Sequence, residues 1–185
     1  MKDYESFLKT KERRIIESGF IVNDEDLNPH LFDFQKFCVK RALKKGKYAL
    51  FESCGLGKTI QQLEWANQVY KHTNKPILVL APLSVSLQTI DEGAKFGISV
   101  KKYDGSNFPI QISNYEQLDN IDCNIFGGVV LDESSILKSF DGSTKKKIIE
   151  SFKDTPYKLA CTATPSPNDP MELGNHAEFL DVMSY

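Results

Sequence analysis

One stretch of this 185-residue chain constrains the fold more than any other, because an apolar strand passes through a glycine-rich turn directly into a helix. Residues 48–52 predict the strand, residues 54–60 (CGLGKTI) the turn, and residues 58–71 the helix. Gly55 and Gly57 can adopt positive φ and approach an anion closely. The amides that follow point into one concavity at the positive end of the helix dipole. The stretch therefore predicts a loop that binds nucleotide phosphates.

The side chains of this stretch extend the prediction. Lys58 would reach the β- and γ-phosphates as a point charge, and the Thr59 hydroxyl would hold Mg²⁺. The full pattern G-x-x-x-x-G-K-[ST] requires glycine at position 52, where this chain has Glu52. Glycine-lysine-threonine alone also fits an ordinary turn before a helix, so the prediction depends on motifs further along the chain.

Composition narrows the classes of protein. The chain is long enough for one domain with a full core, and its net charge is only −2. Its four cysteines form no C-x-x-C pair and its three histidines are isolated, which argues against a zinc site or a disulfide framework. The scattered cysteines are expected to be reduced thiols in a reducing compartment. The sequence has no apolar run that could span a membrane and no signal peptide. A nucleic-acid partner would have to be bound by local basic patches.

Apolar and amphipathic segments alternate along the chain. We predict strands at residues 48–52, 77–81, 98–103, 110–113, 128–132 and 157–161, and helices at residues 31–45, 58–71, 85–95, 143–152 and 171–180. This alternation predicts an α/β fold, a three-layer sandwich with a mostly parallel central sheet. Residues 1–30, with a charged helix at 3–17, are predicted to form an N-terminal helical and loop extension, and residues 31–185 the main lobe. Phe34 and Phe37 fall near helical spacing and are expected in the core.

An acidic pair ends one of the predicted strands. In sheets of this kind ligands bind beyond the carboxyl ends of the strands, and the strand at 128–132 ends in Asp132-Glu133. Asp132 would hold Mg²⁺ through water, and Glu133 would orient and polarise an attacking water molecule. An acidic pair also favours the N-terminus of an ordinary helix. Because this pair follows a glycine-lysine-threonine loop at a suitable distance, we favour the metal and water roles.

Polar residues also follow three other predicted strands. Ser84 follows the strand at 77–81, and Asn114 and Tyr115 follow the strand at 110–113. Thr162 and Thr164 follow the last strand and would place two hydroxyls near the γ-phosphate, where they would link the nucleotide state to whatever binds above the sheet. The alternative for the two threonines is an ordinary turn before proline.

The order of these motifs resembles the first RecA-like lobe of superfamily 2 helicases and translocases, specifically the Swi/Snf-type branch. The matching segments are Phe34-Gln35, Gly55-Leu56-Gly57-Lys58-Thr59-Ile60-Gln61, Leu80-Ala81-Pro82-Leu83-Ser84, Ser113-Asn114-Tyr115-Glu116, Asp132-Glu133-Ser134-Ser135, Thr162-Ala163-Thr164-Pro165 and Pro167-Asn168-Asp169-Pro170-Met171-Glu172-Leu173. They cover nearly the whole chain and look most like the helicases of phages and prophages. The Swi/Snf-type branch often carries an acid where this chain has Glu52.

The resemblance implies that ATP and Mg²⁺ are the cofactors. Gln35 would read the adenine edge, because an amide can pair with N6 and N7 together. The phosphates would be bound by Gly55, Leu56, Gly57, Lys58, Thr59 and Ile60, and the metal by Thr59 and Asp132. Lys58, Asp132 and Glu133 would be the catalytic residues.

The resemblance also implies a nucleic-acid partner, with double-stranded DNA preferred, and no membrane. Ser84, Asn114 and Tyr115 stand where the family contacts the nucleic-acid backbone. Ser135 stands where the family has histidine or aspartate, so a hydroxyl would have to serve the coupling role of that side chain. Thr162 and Thr164 would also take part in this coupling. The location implied is the cytoplasm of a bacterium or of a phage-infected host cell.

The family hydrolyses ATP in a cleft between two lobes, and the second lobe supplies arginine fingers. This sequence stops at Tyr185, just past the motifs of the first lobe, so we expect a second RecA-like lobe in a longer protein. We expect the first lobe alone to bind ATP weakly and to turn it over slowly or not at all.

The function predicted from the sequence is therefore the ATP-binding lobe of a nucleic-acid-dependent ATPase, a DNA helicase or a double-stranded DNA translocase. Two alternatives remain open at this point. One is a self-contained P-loop phosphotransferase, although the chain lacks an arginine-rich lid segment. The other is a non-catalytic RecA-like docking module, although the intact set Lys58, Thr59, Asp132 and Glu133 argues against loss of catalysis.

Overall fold

The structure is a computed structural model that describes residues 17–138, 142–166 and 168–182. The predicted N-terminal helix at 3–17 lies outside the described residues except for its last position, and Pro167 of the last motif also lies outside them. Five α-helices occur in the described part: α1 (Asp33–Lys45), α2 (Lys58–Thr73), α3 (Ser86–Lys95), α4 (Ser143–Ser151) and α5 (Glu172–Phe179). The six strands are β1 (Lys47–Phe51), β2 (Ile77–Ala81), β3 (Lys101–Lys102), β4 (Ile110–Asn114), β5 (Gly128–Asp132) and β6 (Tyr157–Thr162).

The six strands form one sheet in the order β1-β6-β5-β2-β4-β3, and every pairing is parallel. The last strand of the sequence, β6, is inserted between β1 and β5. The register pairs Phe51 with Thr162 and Asp132 with Cys161, so the ends of these three strands lie level. The phosphate loop (residues 52–59) and the acidic turn (residues 132–135) therefore emerge on either side of Thr162.

Two apolar clusters cover the two faces of the sheet. Alternate residues of β2 separate between them: Ile77 and Val79 pack with α1 and α2, whereas Leu78 and Leu80 pack with α4 and α5. This alternation follows from the two-residue period of a strand, and it requires apolar residues throughout a strand that is buried on both faces. The three-layer α/β sandwich predicted from the sequence is confirmed.

The predicted strand at 98–103 is reduced to the two residues of β3. Ile98 and Val100 are buried in the cluster beneath α2 and α3, and the Ile98 amide donates to the Gly93 carbonyl at the end of α3. Lys101 and Lys102 then form an exposed edge strand. The apolar residues of this segment therefore belong to the packing of a helix end rather than to the sheet.

The prediction that Phe34 and Phe37 lie in the core is wrong. They are 45% and 63% exposed. The buried stripe of α1 consists of Gln35, Val39, Ala42 and Leu43. The buried face of α1 therefore contains Gln35 and neither of these phenylalanines. Gln35 faces inward because its side chain bonds to the phosphate loop.

Residues 17–30, the described part of the predicted extension, pack against the helical layer. Leu27 is buried in the same cluster as α1 and α2. The Gln68 side chain of α2 donates to the Asp26 carbonyl (2.7 Å), and the Asn28 side chain donates to the Phe96 carbonyl (2.7 Å). These contacts fix the segment that leads into α1 and therefore the position of Gln35.

Candidate ATP site

The phosphate loop has the backbone that its glycines allow. Gly55 and Gly57 have φ of 83° and 74°, and α2 begins directly afterwards at Lys58. The Lys58 ammonium folds back over the loop and donates to the carbonyl oxygens of Glu52 (3.0 Å) and Ser53 (3.2 Å). The cation is therefore held at the start of the loop that leads into the first amides of α2, where an anion would be bound.

Glu52, which replaces the first glycine of the G-x-x-x-x-G-K-[ST] pattern, helps to hold the two ends of the phosphate loop together. Its carboxylate accepts a hydrogen bond from the fully buried side chain of Gln61 (2.7 Å). The same Gln61 amide lies 3.4 Å from the carbonyl oxygens of Leu56 and Gly57. One buried amide therefore ties the start of the loop to its end. The sequence analysis quoted Gln61 in a motif but assigned it no role.

Gln35 lies directly beneath the phosphate loop. Its carboxamide oxygen accepts from the Phe32 amide (2.9 Å), and its nitrogen donates to the Leu56 carbonyl (2.9 Å). The side chain is only 3% exposed. The approach to the loop is close, because a Cβ on Gly57 would lie 2.5 Å from the Gln35 nitrogen. Adenine recognition by Gln35 stays a prediction, and the amide keeps one further N–H and one further oxygen lone pair for it.

The acidic turn places its two carboxylates in different surroundings. Asp132 accepts from the buried side chain of Gln62 (2.8 Å), while burial raises the pKa of the Asp132 carboxyl. Glu133 accepts from the Thr162 hydroxyl (3.2 Å), which also accepts from the Thr164 amide (3.0 Å). The structure thus brings together the acidic pair and the two threonines at and just after the end of β6.

Tyr115 requires a correction. The sequence placed it among the nucleic-acid contacts, but its side chain is only 6% exposed and its hydroxyl donates to the Asp132 carbonyl (2.6 Å). Burial raises the pKa of Tyr115 well above its usual value, so the hydroxyl keeps its proton. Tyr115 therefore supports the acidic turn from the neighbouring half of the sheet. Because Tyr115 follows polar residues at the end of a strand, the sequence did not indicate that its side chain points into the protein.

The other predicted nucleic-acid and coupling residues lie apart from this network. Ser84 is exposed after β2, and Asn114 accepts from the Gln117 amide at the start of a short 3₁₀ helix. Ser135 is half-buried. Its neighbour Ser134 is the residue that makes a buried long-range contact, with the His176 ring of α5 at 3.1 Å. The sequence analysis did not identify His176 as a site residue.

The donors at this edge suit a magnesium ion that is bound mainly through the nucleotide and water. Thr59 offers a hydroxyl at the start of α2, and Asp132 offers a carboxylate at the end of β5. Mg²⁺ prefers such oxygen ligands and usually keeps several waters beside substrate phosphates. Among the described residues, no group of three or more histidine, cysteine or acidic side chains could hold a metal without the nucleotide.

The parallel sheet and its flanking helices have the fold of a RecA-like lobe, with the glycine-rich loop and the acidic pair at neighbouring strand ends. No family model matches the sequence. Over 84% of its length the chain is 27% identical to a mouse protein described as "DNA annealing helicase and endonuclease ZRANB3", of which it covers only 16%.

Solved structures share the fold. The SWI2/SNF2 ATPase core of Sulfolobus solfataricus in complex with dsDNA matches 88% of this chain with a TM-score of 0.75 and 22% identity, over 38% of that chain. The UvsW helicase from bacteriophage T4 matches 96% of this chain (TM-score 0.68, 16% identity, 65% of that chain). The Pyrococcus furiosus Hef helicase domain matches 84% (TM-score 0.68, 17% identity, 38% of that chain). The predicted resemblance to a helicase-type lobe is confirmed, and the chain spans less than two thirds of each relative.

No helix in the described part of the chain is both long and apolar enough to cross a membrane.

Proposed function

We propose that this chain is the ATP-binding lobe of a DNA-dependent ATPase that moves along or unwinds double-stranded DNA. One observation carries the proposal: the level ends of β1, β6 and β5 bring Lys58 and the acidic pair to either side of Thr162. The relatives with this fold include a DNA annealing helicase and an ATPase core in complex with dsDNA. We infer that double-stranded DNA is the partner of this chain as well.

Each residue of the site has a distinct task in this proposal. The loop amides and Lys58 bind the phosphates, and Thr59 and Asp132 would hold Mg²⁺ beside them. Glu133 orients the attacking water, and its bond from Thr162 holds the carboxylate at the strand end. When bound, Mg²⁺ supplies charge stabilisation to the phosphates.

The proposed contacts with nucleic acid lie at the carboxyl-end edge of the sheet. Ser84 is exposed in the segment after β2, Asn114 is half-buried at the end of β4, and we propose that both contact the DNA backbone. The Tyr115 hydroxyl connects the end of β4 to the Asp132 carbonyl. A shift of this strand end on DNA binding would therefore displace the acidic turn. A second RecA-like lobe would complete the ATP site, and the cytoplasm of a bacterium or phage-infected cell is the proposed location.

The test is ATP hydrolysis by the full-length protein with and without double-stranded DNA, with Lys58→Ala as the inactive variant. We expect turnover that DNA stimulates and that the variant loses. Lys71→Ala, at the far end of the same helix, is the matched control and should keep the wild-type rate. Transfer of phosphate to a small-molecule acceptor would instead support a phosphotransferase. Absence of both nucleotide binding and hydrolysis would support a docking module.

A further inference from the structure

The acidic turn contains a strained backbone. Glu133 has φ of 56°, and the other described non-glycine residues with positive φ are Asn74 and Asp181. Short Asn and Asp side chains tolerate this region, whereas it is uncommon for glutamate. The left-handed conformation is unfavourable for an L-residue, and it persists only where the surroundings hold it.

Three side chains from outside the turn hold it in place. The Tyr115 hydroxyl donates to the carbonyl of Asp132, directly before the strained residue. The Thr162 hydroxyl donates to the Glu133 carboxylate itself. Directly after the strained residue, the Ser134 hydroxyl contacts the His176 ring. The last contact is the most buried, since Ser134 is 0% and His176 2% exposed.

The surroundings of His176 favour one tautomer of the ring. Nδ1 faces the Glu172 carbonyl oxygen at 3.4 Å, and a carbonyl can only accept, so we assign the hydrogen of the neutral ring to Nδ1. Nε2 of the neutral ring is then an acceptor, and the Ser134 hydroxyl donates to it. Burial lowers the pKa of His176, which favours this neutral form. The ring also meets the edge of Phe51, the last residue before the phosphate loop, with 5.1 Å between ring centroids.

We propose that His176 is a positioning residue for ATP hydrolysis: it holds the Ser134 hydroxyl and thereby keeps Glu133 in the left-handed conformation that places its carboxylate beside Thr162. This inference rests on the proposed function, in which Glu133 orients the attacking water. His176 takes no direct part in the reaction. It stands on α5, a helix to which the sequence analysis assigned no site residue.

The test compares His176→Phe and His176→Gln in the full-length protein with saturating DNA. Phenylalanine keeps the ring volume and removes the acceptor, so the Glu133 carboxylate should lose its position beside the attacking water. We expect kcat to fall about ten- to a hundred-fold, as for a misplacement of about 1 Å. KM for ATP should stay within about two-fold, because phosphate binding does not depend on this contact. Glutamine can offer an acceptor near the Nε2 position and should recover most of the lost rate.

Asn175→Leu is the matched control. Asn175 is the neighbouring residue on α5, is equally buried, and donates to the Leu137 carbonyl at the far end of the same segment (2.7 Å). This variant should lower the unfolding temperature without lowering kcat. An equal loss of kcat in Asn175→Leu and His176→Phe would mean that α5 acts only as structural support, and it would overturn the inference.

Combined variants test whether His176 acts on hydrolysis through Ser134 and Glu133. In a Glu133→Gln background, His176→Phe should lower the residual rate no further, and an additional loss would contradict the proposed route. Thermal unfolding of Ser134→Ala, His176→Phe and the double variant should show non-additive effects, and additive effects would also overturn the inference. The unfolding measurements need no enzymatic activity. They therefore test the contact between Ser134 and His176 even if the wild-type protein proves inactive and the proposed function fails.

Discussion

The phosphate loop and the acidic turn lie on either side of Thr162, and both contain left-handed backbone. In the phosphate loop the left-handed residues are Gly55 and Gly57, which adopt this conformation without steric cost. In the acidic turn the left-handed residue is Glu133, whose side chain is needed for the proposed chemistry. The first turn is therefore encoded by its own residues, whereas the second depends on contacts from three other parts of the chain. The comparison leads to four predictions.

Gly57→Ala should have the largest effect on stability. The new Cβ would be strained at this positive φ. It would also displace the Gln35 nitrogen, 2.5 Å away, from its bond to the Leu56 carbonyl, so the total cost should be roughly 3 kcal/mol. Gly55→Ala is the matched variant, because a Cβ there meets nothing within 4 Å and only the strain remains. Denaturant unfolding of both variants measures the difference. Equal losses would show that Gln35 does not pack against the loop as described.

Tyr115→Phe should destabilise the acidic turn. It leaves the Asp132 carbonyl without the tyrosine hydroxyl, which should lower the free energy of unfolding by roughly 1.5 kcal/mol. The affinity for DNA should stay unchanged, because the hydroxyl faces the protein interior. Denaturant unfolding and a DNA titration distinguish the two roles. A weaker affinity for DNA with unchanged stability would restore the nucleic-acid role predicted from the sequence.

Glu133→Gly and Glu133→Ala should differ in stability although both remove the carboxylate. Only glycine relieves the left-handed strain, so the glycine variant should be more stable by about 1 kcal/mol after its greater freedom in the unfolded chain is counted. Both variants should lose hydrolysis. If the alanine variant proved the more stable of the two in denaturant unfolding, the turn would not be strained in solution.

The smallest expected effect is a pH dependence from His176. Burial lowers its pKa in the folded chain, and the contacts with Glu172 and with the Ser134 backbone only partly oppose this shift. Below the unfolded pKa of about 6.5 the unfolded chain therefore binds more protons, so stability should rise with pH up to that value and then level off. His176→Phe should flatten this rise, whereas Asn175→Leu should keep it. Unfolding measured at several pH values would contradict the prediction if both variants kept the wild-type slope.

The two turns also show how far the sequence could be interpreted. The phosphate loop was predicted in place, because Gly55, Gly57 and Lys58 are neighbours in the chain and their roles follow from local chemistry. Strand alternation likewise predicted the parallel sandwich. The buried stripe of α1 could not be foreseen, because whether Gln35 or Phe34 faces inward depends on a loop some twenty residues away.

The support of the acidic turn could not be predicted for the same reason. Tyr115 reaches it from the segment directly after β4, and His176 reaches it from α5. Only the insertion of β6 between β1 and β5 brings Thr162 beside Glu133. Motif positions suggested Ser135 for coupling, whereas the buried contact is made by Ser134. The direction of these side chains is set by tertiary packing, which leaves no periodic pattern in the sequence.

The rate of ATP turnover by Glu133→Gln with double-stranded DNA, measured beside its affinity for ATP, tests the central claim most directly. This substitution keeps the size of the side chain and its ability to accept from Thr162 while it removes the charge. We expect ATP binding close to that of the wild type and turnover lower by at least about a hundred-fold, because only the orientation of the attacking water is lost. Turnover at the wild-type rate would contradict the account, since Glu133 would then have no part in hydrolysis.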